Sequence, residues 1–344
     1  MRLSLGEGPL PRLCAPGVPD WIGADGARVG WALRDRLFLL GDGWVDVVAL
    51  PDDVEDVCAS PGRWTVAHAV GFVCVDVASA QPVGVVLEDE RDPVATRPGG
   101  DTGLFVEVPE QRLVRLADGL PLPLPDAALR ARFLRPWETG VGACWVDMDT
   151  LYRMGERVFA LGRAPGPEAL RCGPGGAVMV TLRSDTVLAA AKGLAVRAGV
   201  RLDASTARFS PDGQTALAAS ERGVVHVDLR DGKTLRAWEG DLAPVGFAPR
   251  PLLLDLDRGA LVDGDGDVVL TGFAASEPSL GGGKLAGPGG ALWDLATGAR
   301  LRDDLIEGAC ATDGARVAHV TDTHARVDGT TFQHGLAGED DEVA

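Results

Sequence analysis

A short turn that keeps returning is the feature of this chain that most constrains its fold. The segment "FSPDG" at residues 209–213 ends one apolar run, and another, "QTALAAS", follows at once. In such a turn Pro presets φ, Asp caps the bend, and Gly takes the positive φ that other residues resist. Lined up on the turn glycine, its relatives are "WIGADGARVGWAL" at Gly26, "VCASPGRWTVAHA" at Gly62, "ATRPGGDTGLFVEV" at Gly100, "RCGPGGAVMVTL" at Gly176 and "ACATDGARVAHV" at Gly314. Looser copies surround Gly140 and occur in "VGFAPRPLLLDLD", where Pro251 stands in the glycine's place. The intervals are 36, 38, 40, 36, 37 and 38 residues, followed by one of 63. A second column keeps the same phase. Asp76 and Asp228 each close an apolar–Asp–apolar strand end before a hairpin turn, and Asp294 does so inside the long interval.

One unit therefore reads strand, Pro-Asp-Gly-type turn, strand, strand, Asp-containing turn, strand. The runs are short and β-branched, as in "VGFVCVDV" and "GVVHVDL", and lack the three-and-four spacing of helical repeats. Four-stranded repeats of about 40 residues predict an all-β propeller with one blade per unit. Eight turn signals predict seven or eight blades. The expected layout is a single propeller over residues 1–336, with "RLSLG" at 2–6 pairing into the last blade to close the ring, an insertion at 272–290, and an acidic tail at 337–344.

The turn "FSPDG" and the "VD" or "WD" that closes third strands resemble the WD40/YVTN family of propellers. The resemblance runs over about residues 20–336 and is sharpest at 204–240 and 290–316. It implies a rigid platform for binding other proteins. The Gly-His pair usual in WD40 blades does not occur, so the fold is expected to be WD40-like without the Asp–His network of that family.

Composition narrows the function. The formal net charge is −17, a field that repels phosphate backbones and anionic lipid and attracts basic partner surfaces. Nucleic acid and membrane are therefore not the expected partners; protein is. Only Lys192, Lys233 and Lys284 among 33 basic residues are lysines, which with the abundant Ala, Gly, Val and Arg points to a GC-rich bacterial gene. The N-terminal stretch has no long apolar core of a signal peptide. The six cysteines are far apart, with no C-x-x-C, so reduced thiols in the cytoplasm are expected. Cys58, Cys172 and Cys310 share the first-strand column of Ile22, Phe209 and Phe247, where a free thiol packs as a small hydrophobe.

Two segments in the long interval could carry chemistry. Asp263, Asp265 and Asp267 alternate with glycines, a pattern open to Ca²⁺, although the Gly and Glu of a full EF-hand loop are missing. The plain alternative is an Asp-Gly hairpin turn. "GGGKL" at 281–285 lacks the spacing and hydroxyl of a phosphate loop and reads as a flexible insertion, with Leu280, Lys284 and Leu285 as its candidate partner-binding residues. His68, His226 and His319 fall inside strands, and no His pair has metal-ligand spacing. No cofactor motif and no local catalytic motif occurs. The leading reading is a non-catalytic protein-interaction scaffold in a bacterial assembly. The alternatives are a propeller-type hydrolase or lactonase-like enzyme, with or without Ca²⁺, and a small-ligand sensor.

Overall fold

The computed structural model describes residues 2–4, 20–24, 28–60, 62–87, 95–106, 111–131, 133–147, 149–154, 156–161, 167–247, 250–271, 279–281, 284–286, 291–294, 299–303, 309–312, 317–320, 324–327 and 330–333. Among these, the strands form seven four-stranded sheets, one five-stranded sheet and one three-stranded sheet. In each four-stranded sheet the strands pair antiparallel in chain order, the up-and-down meander of a propeller blade. The fold is that of a WD40-like β-propeller. The acidic tail, Gly26, Gly314 and His334 lie outside the described residues.

The chain packs as two units, residues 1–90 with 276–344, and residues 91–275. In the first unit the strands Val29–Leu33 and Arg36–Leu40 are almost wholly buried because both of their faces are covered. Trp31, Leu33, Phe38 and Leu40 point to one side and pack with Ala311, Ala318 and Val320. Ala32, Leu37 and Leu39 point to the other and pack with Val57, Trp64, Val66 and Val73. Strand alternation thus feeds two cores from one sheet.

Two expectations are corrected here. Arg2–Ser4 does not join the last sheet; it pairs antiparallel with Trp44–Ala49, as a fifth strand on the first sheet. The reason is an ionic anchor. Arg2 Nε and Nη2 donate to Asp46 at 2.6 and 3.0 Å, and the Arg2 guanidinium lies 4.7 Å from the centre of the Trp44 ring. The interval at 272–290 is not simply a projecting loop. Ser279–Gly281 and Lys284–Ala286 are antiparallel strands in one sheet with Ala291–Asp294 and Arg300–Asp303. The 63-residue interval therefore holds a further sheet, whose Gly-rich first half hides its strand character.

The second unit holds the three-stranded sheet (Ala95–Pro98, Thr102–Val106, Arg112–Arg115), a four-residue helix Asp126–Leu129, and four four-stranded sheets. The first strands of the four lie side by side: Phe133–Pro136, Ala169–Cys172, Leu202–Phe209 and Leu242–Phe247. The turn at 210–213 is built as its residues demand. Ser210 Oγ donates to Asp212 Oδ1 at 2.6 Å, Gly213 N donates to Ser210 O at 2.8 Å, and Gly213 adopts φ +64°.

Gly213→Ala would place a Cβ 2.9 Å from Pro174 O at a left-handed φ. It should destabilise the protein by about 1–2 kcal/mol in chemical denaturation. Asp46 is 5 % exposed and also accepts from Arg28 Nη2 at 2.9 Å and Trp44 Nε1 at 3.2 Å. Burial works to raise its pKa, but the hydrogen bonds from Arg2 and Arg28 outweigh it and hold the carboxyl below its ordinary value. A depressed carboxyl stabilises above the unfolded-state pKa of about 4 and loses that contribution as pH falls through the folded-state value. Asp46→Ala removes the buried carboxylate that Arg2 and Arg28 share and should cost about 3 kcal/mol at pH 7. Its deficit relative to the parent should shrink in acid, measured as unfolding midpoints between neutral and low pH.

Candidate functional site

Of the sequence-derived candidates, the aspartates belong to the second unit and Leu280, Lys284 and Leu285 to the first. Asp263, Asp265 and Asp267 form a tight hairpin turn: Asp263 Oδ1 accepts from Asp265 N at 2.8 Å and Asp267 N at 3.1 Å, and Asp263 N donates to Asp267 O. The Asp265 carboxylate is taken up by arginines, Arg236 at 2.9 Å and Arg250 at 3.2 Å. Among the described residues, no three His, Cys, Asp or Glu side chains converge as a metal site. Leu280, Lys284 and Leu285 sit in the paired strands of the 279–303 sheet. Cys172 is buried in an apolar cluster with Cys144, and burial pushes its thiol well above the ordinary value, so it stays protonated. His226 lies in the strand Gly223–Asp228 against Phe247, with ring centres 5.6 Å apart, and burial lowers its pKa.

A concave feature of the second unit is a groove of about 520 Å³ between the sheets of Ala169–Arg197 and Leu202–Glu239. Its walls come from the turn after Val178–Thr181 (Arg183), the link between the sheets (Arg201), the turn between Thr215–Ser220 and Gly223–Asp228 (Glu221, Arg222), and the outer strand Thr234–Glu239 (Trp238). Short turns place these side chains because the strands behind them are pinned by the core: Leu217 and Val224 are fully buried. Arg201 is held by Glu168 at 2.8 Å. Arg183 and Arg222 are exposed and have no carboxylate partner among the described residues. Trp238 is half-buried, and its Nε1 is shielded from solvent with no acceptor among the described residues. The Arg236 guanidinium lies 5.5 Å from the Trp238 ring centre. The groove thus offers the guanidiniums of Arg183 and Arg222 beside an apolar floor, a set suited to a carboxylate or carbonyl beside an apolar group.

Sequence reading missed the arginines around Trp238. They belong to three separate turns, and only the packing of two sheets brings them to one place.

The sequence matches no protein-family profile and no curated protein sequence. Several solved structures are similar over most of the chain. The computationally designed Ika8 protein is 12 % identical, with a TM-score of 0.48 over 81 % of this chain and 95 % of its own. The dihydro-heme d1 dehydrogenase NirN, solved in complex with DHE, is 15 % identical, with a TM-score of 0.49 over 80 % of this chain and 73 % of its own. The β-propeller domain of Cps50 (Swd1) from Myceliophteria thermophila is 12 % identical, with a TM-score of 0.42 over 75 % of this chain and 98 % of its own.

The Asp263 geometry makes a definite stability prediction. Asp263→Ala removes the acceptor for two backbone N–H groups and should cost about 1 kcal/mol, equally with calcium and with chelator. A loss seen only when calcium is present would restore the cation reading.

Proposed function

We propose that this protein is a non-catalytic interaction platform, a cytoplasmic propeller subunit of a bacterial multiprotein assembly. The observation that carries the reading is the groove beside Trp238. Two packed sheets present Arg183 and Arg222, without carboxylate partners among the described residues, beside Trp238 and an apolar floor, which is how a scaffold receives a partner's side chain. Tryptophan and arginine are the residues that most often dominate such contacts. The −17 charge supplies long-range attraction for basic surfaces of the partner, while the groove is a local inversion that takes an acidic or carbonyl-bearing side chain.

Co-purification from the native host, followed by reconstitution from purified components, tests this. A stoichiometric protein partner should bind the full-length chain and be lost by about tenfold or more in affinity with Trp238→Ala or Arg222→Glu, the cost of removing an interface anchor. A partner bound equally by both variants places the interface elsewhere, and the absence of any stoichiometric partner overturns the platform reading.

A further inference from the structure

The groove beside Trp238 opens along a sheet edge. Thr234–Glu239 is the last strand in the order of its sheet, and every residue in it but Trp238 is exposed. Its backbone groups alternate between an inner and an outer side. Gly240 N donates to Arg222 O at 3.0 Å, so the inward bonds fall on Gly240 and, two residues back, on Trp238, which pairs with Val224. Ala237 and Glu239 therefore aim their N–H and C=O outward. Among the described residues no backbone group bonds to them there. Such groups are a template for a further strand. Ala237 and its cross-strand partner Val225 line the groove. Across it, the outer strand of the preceding sheet is only Val196–Arg197, and two residues cannot cover the flank of six.

The first sheet shows the same edge occupied. Its fourth strand, Trp44–Ala49, takes Arg2–Ser4 as an antiparallel fifth strand, anchored by one ion pair, Arg2 to Asp46 at 2.6 Å, beside the Trp44 ring. Thr234–Glu239 is likewise a fourth strand, with the charges exchanged. Arg201 is engaged by Glu168 and lies in the field of Glu221, and Arg236 is held by Asp265. Arg183 and Arg222 then face one remaining groove carboxylate, Glu239, which leaves a local positive excess in a chain of net charge −17. A guanidinium fork matches a carboxylate bidentately. Gln81–Leu87, an outer strand of similar length, carries Pro82 and no charged residue.

We propose that the groove's occupant is an extended segment of the protein partner, added as a fifth strand on the outward groups of Ala237 and Glu239, with an Asp or Glu of that segment on Arg222 and Arg183. This rests on the groove being the partner site and specifies how the partner enters it. The backbone ladder supplies affinity, and the carboxylate fixes the register.

Phage-displayed peptides of about twelve residues, long enough to span a strand, are panned against the full chain, and the best binder is synthesised and titrated. It should carry Asp or Glu among β-branched residues. At saturation, hydrogen exchange at the Ala237 and Glu239 amides should slow by about tenfold or more. Ala237→Pro removes an outward N–H without breaking a ladder bond and should weaken binding by about tenfold. Ala237→Ser, which keeps the N–H, should bind as the parent does, and Arg222→Gln should bind several-fold more weakly. The exchange measurement decides should Ala237→Pro not fold. Strand addition is overturned if panning yields no peptide that binds the chain, if the bound peptide leaves both amides exchanging as in the free chain, or if the binders are enriched in Lys and Arg. A protein partner lost with Trp238→Ala, whose binding leaves both amides unprotected, overturns strand addition alone and keeps the groove as the partner site.

Discussion

A four-stranded meander with two apolar faces cannot stand alone in water, and every other property of this protein depends on how that need is met. The strand Val178–Thr181 illustrates it. Val178 and Val180 pack with Cys144, Leu151 and Leu170, whereas Met179 packs with Leu202, Ala216 and Ala218. A single strand therefore contributes to two cores, one with the preceding sheet and one with the following sheet. Each sheet is stable only between neighbours, as in other repeat architectures. The first sheet repeats the arrangement, with Trp31 and Phe38 on one side and Leu37 and Leu39 on the other.

That mutual burial fixes the turns and makes them usable. The groove beside Trp238 has no dedicated element of its own; it is the gap between two sheets whose strands are pinned by buried Leu217, Val224 and Leu188.

Much of the fold was legible. The glycine column and the Asp column share one period because each recurs at one place in the meander, as where Gly213 turns at φ +64° and Asp228 Oδ1 accepts from Arg230 N at 2.8 Å. The sheet at 279–303 was hidden because glycine lowers strand propensity while backbone pairing tolerates it. Residues 2–6 read as the strand that closes the last blade, whereas Arg2–Ser4 pairs in the first sheet. Its destination depends on Arg2 meeting Asp46 and Trp44, three residues 44 or fewer positions apart with no local pattern.

The sequence by itself determined the repeat, its strand order and the residues that turn each corner, since these follow from backbone dihedral preferences and period-two burial within some 40 residues. Tertiary structure alone decided the sites. Arg183, Arg201, Arg222 and Trp238 meet because two sheets pack face to face. Asp265 became a partner of Arg236 and Arg250 because its turn folds back beside them. Local propensity acts through neighbours in the chain, whereas binding chemistry depends on which surfaces burial forces into contact.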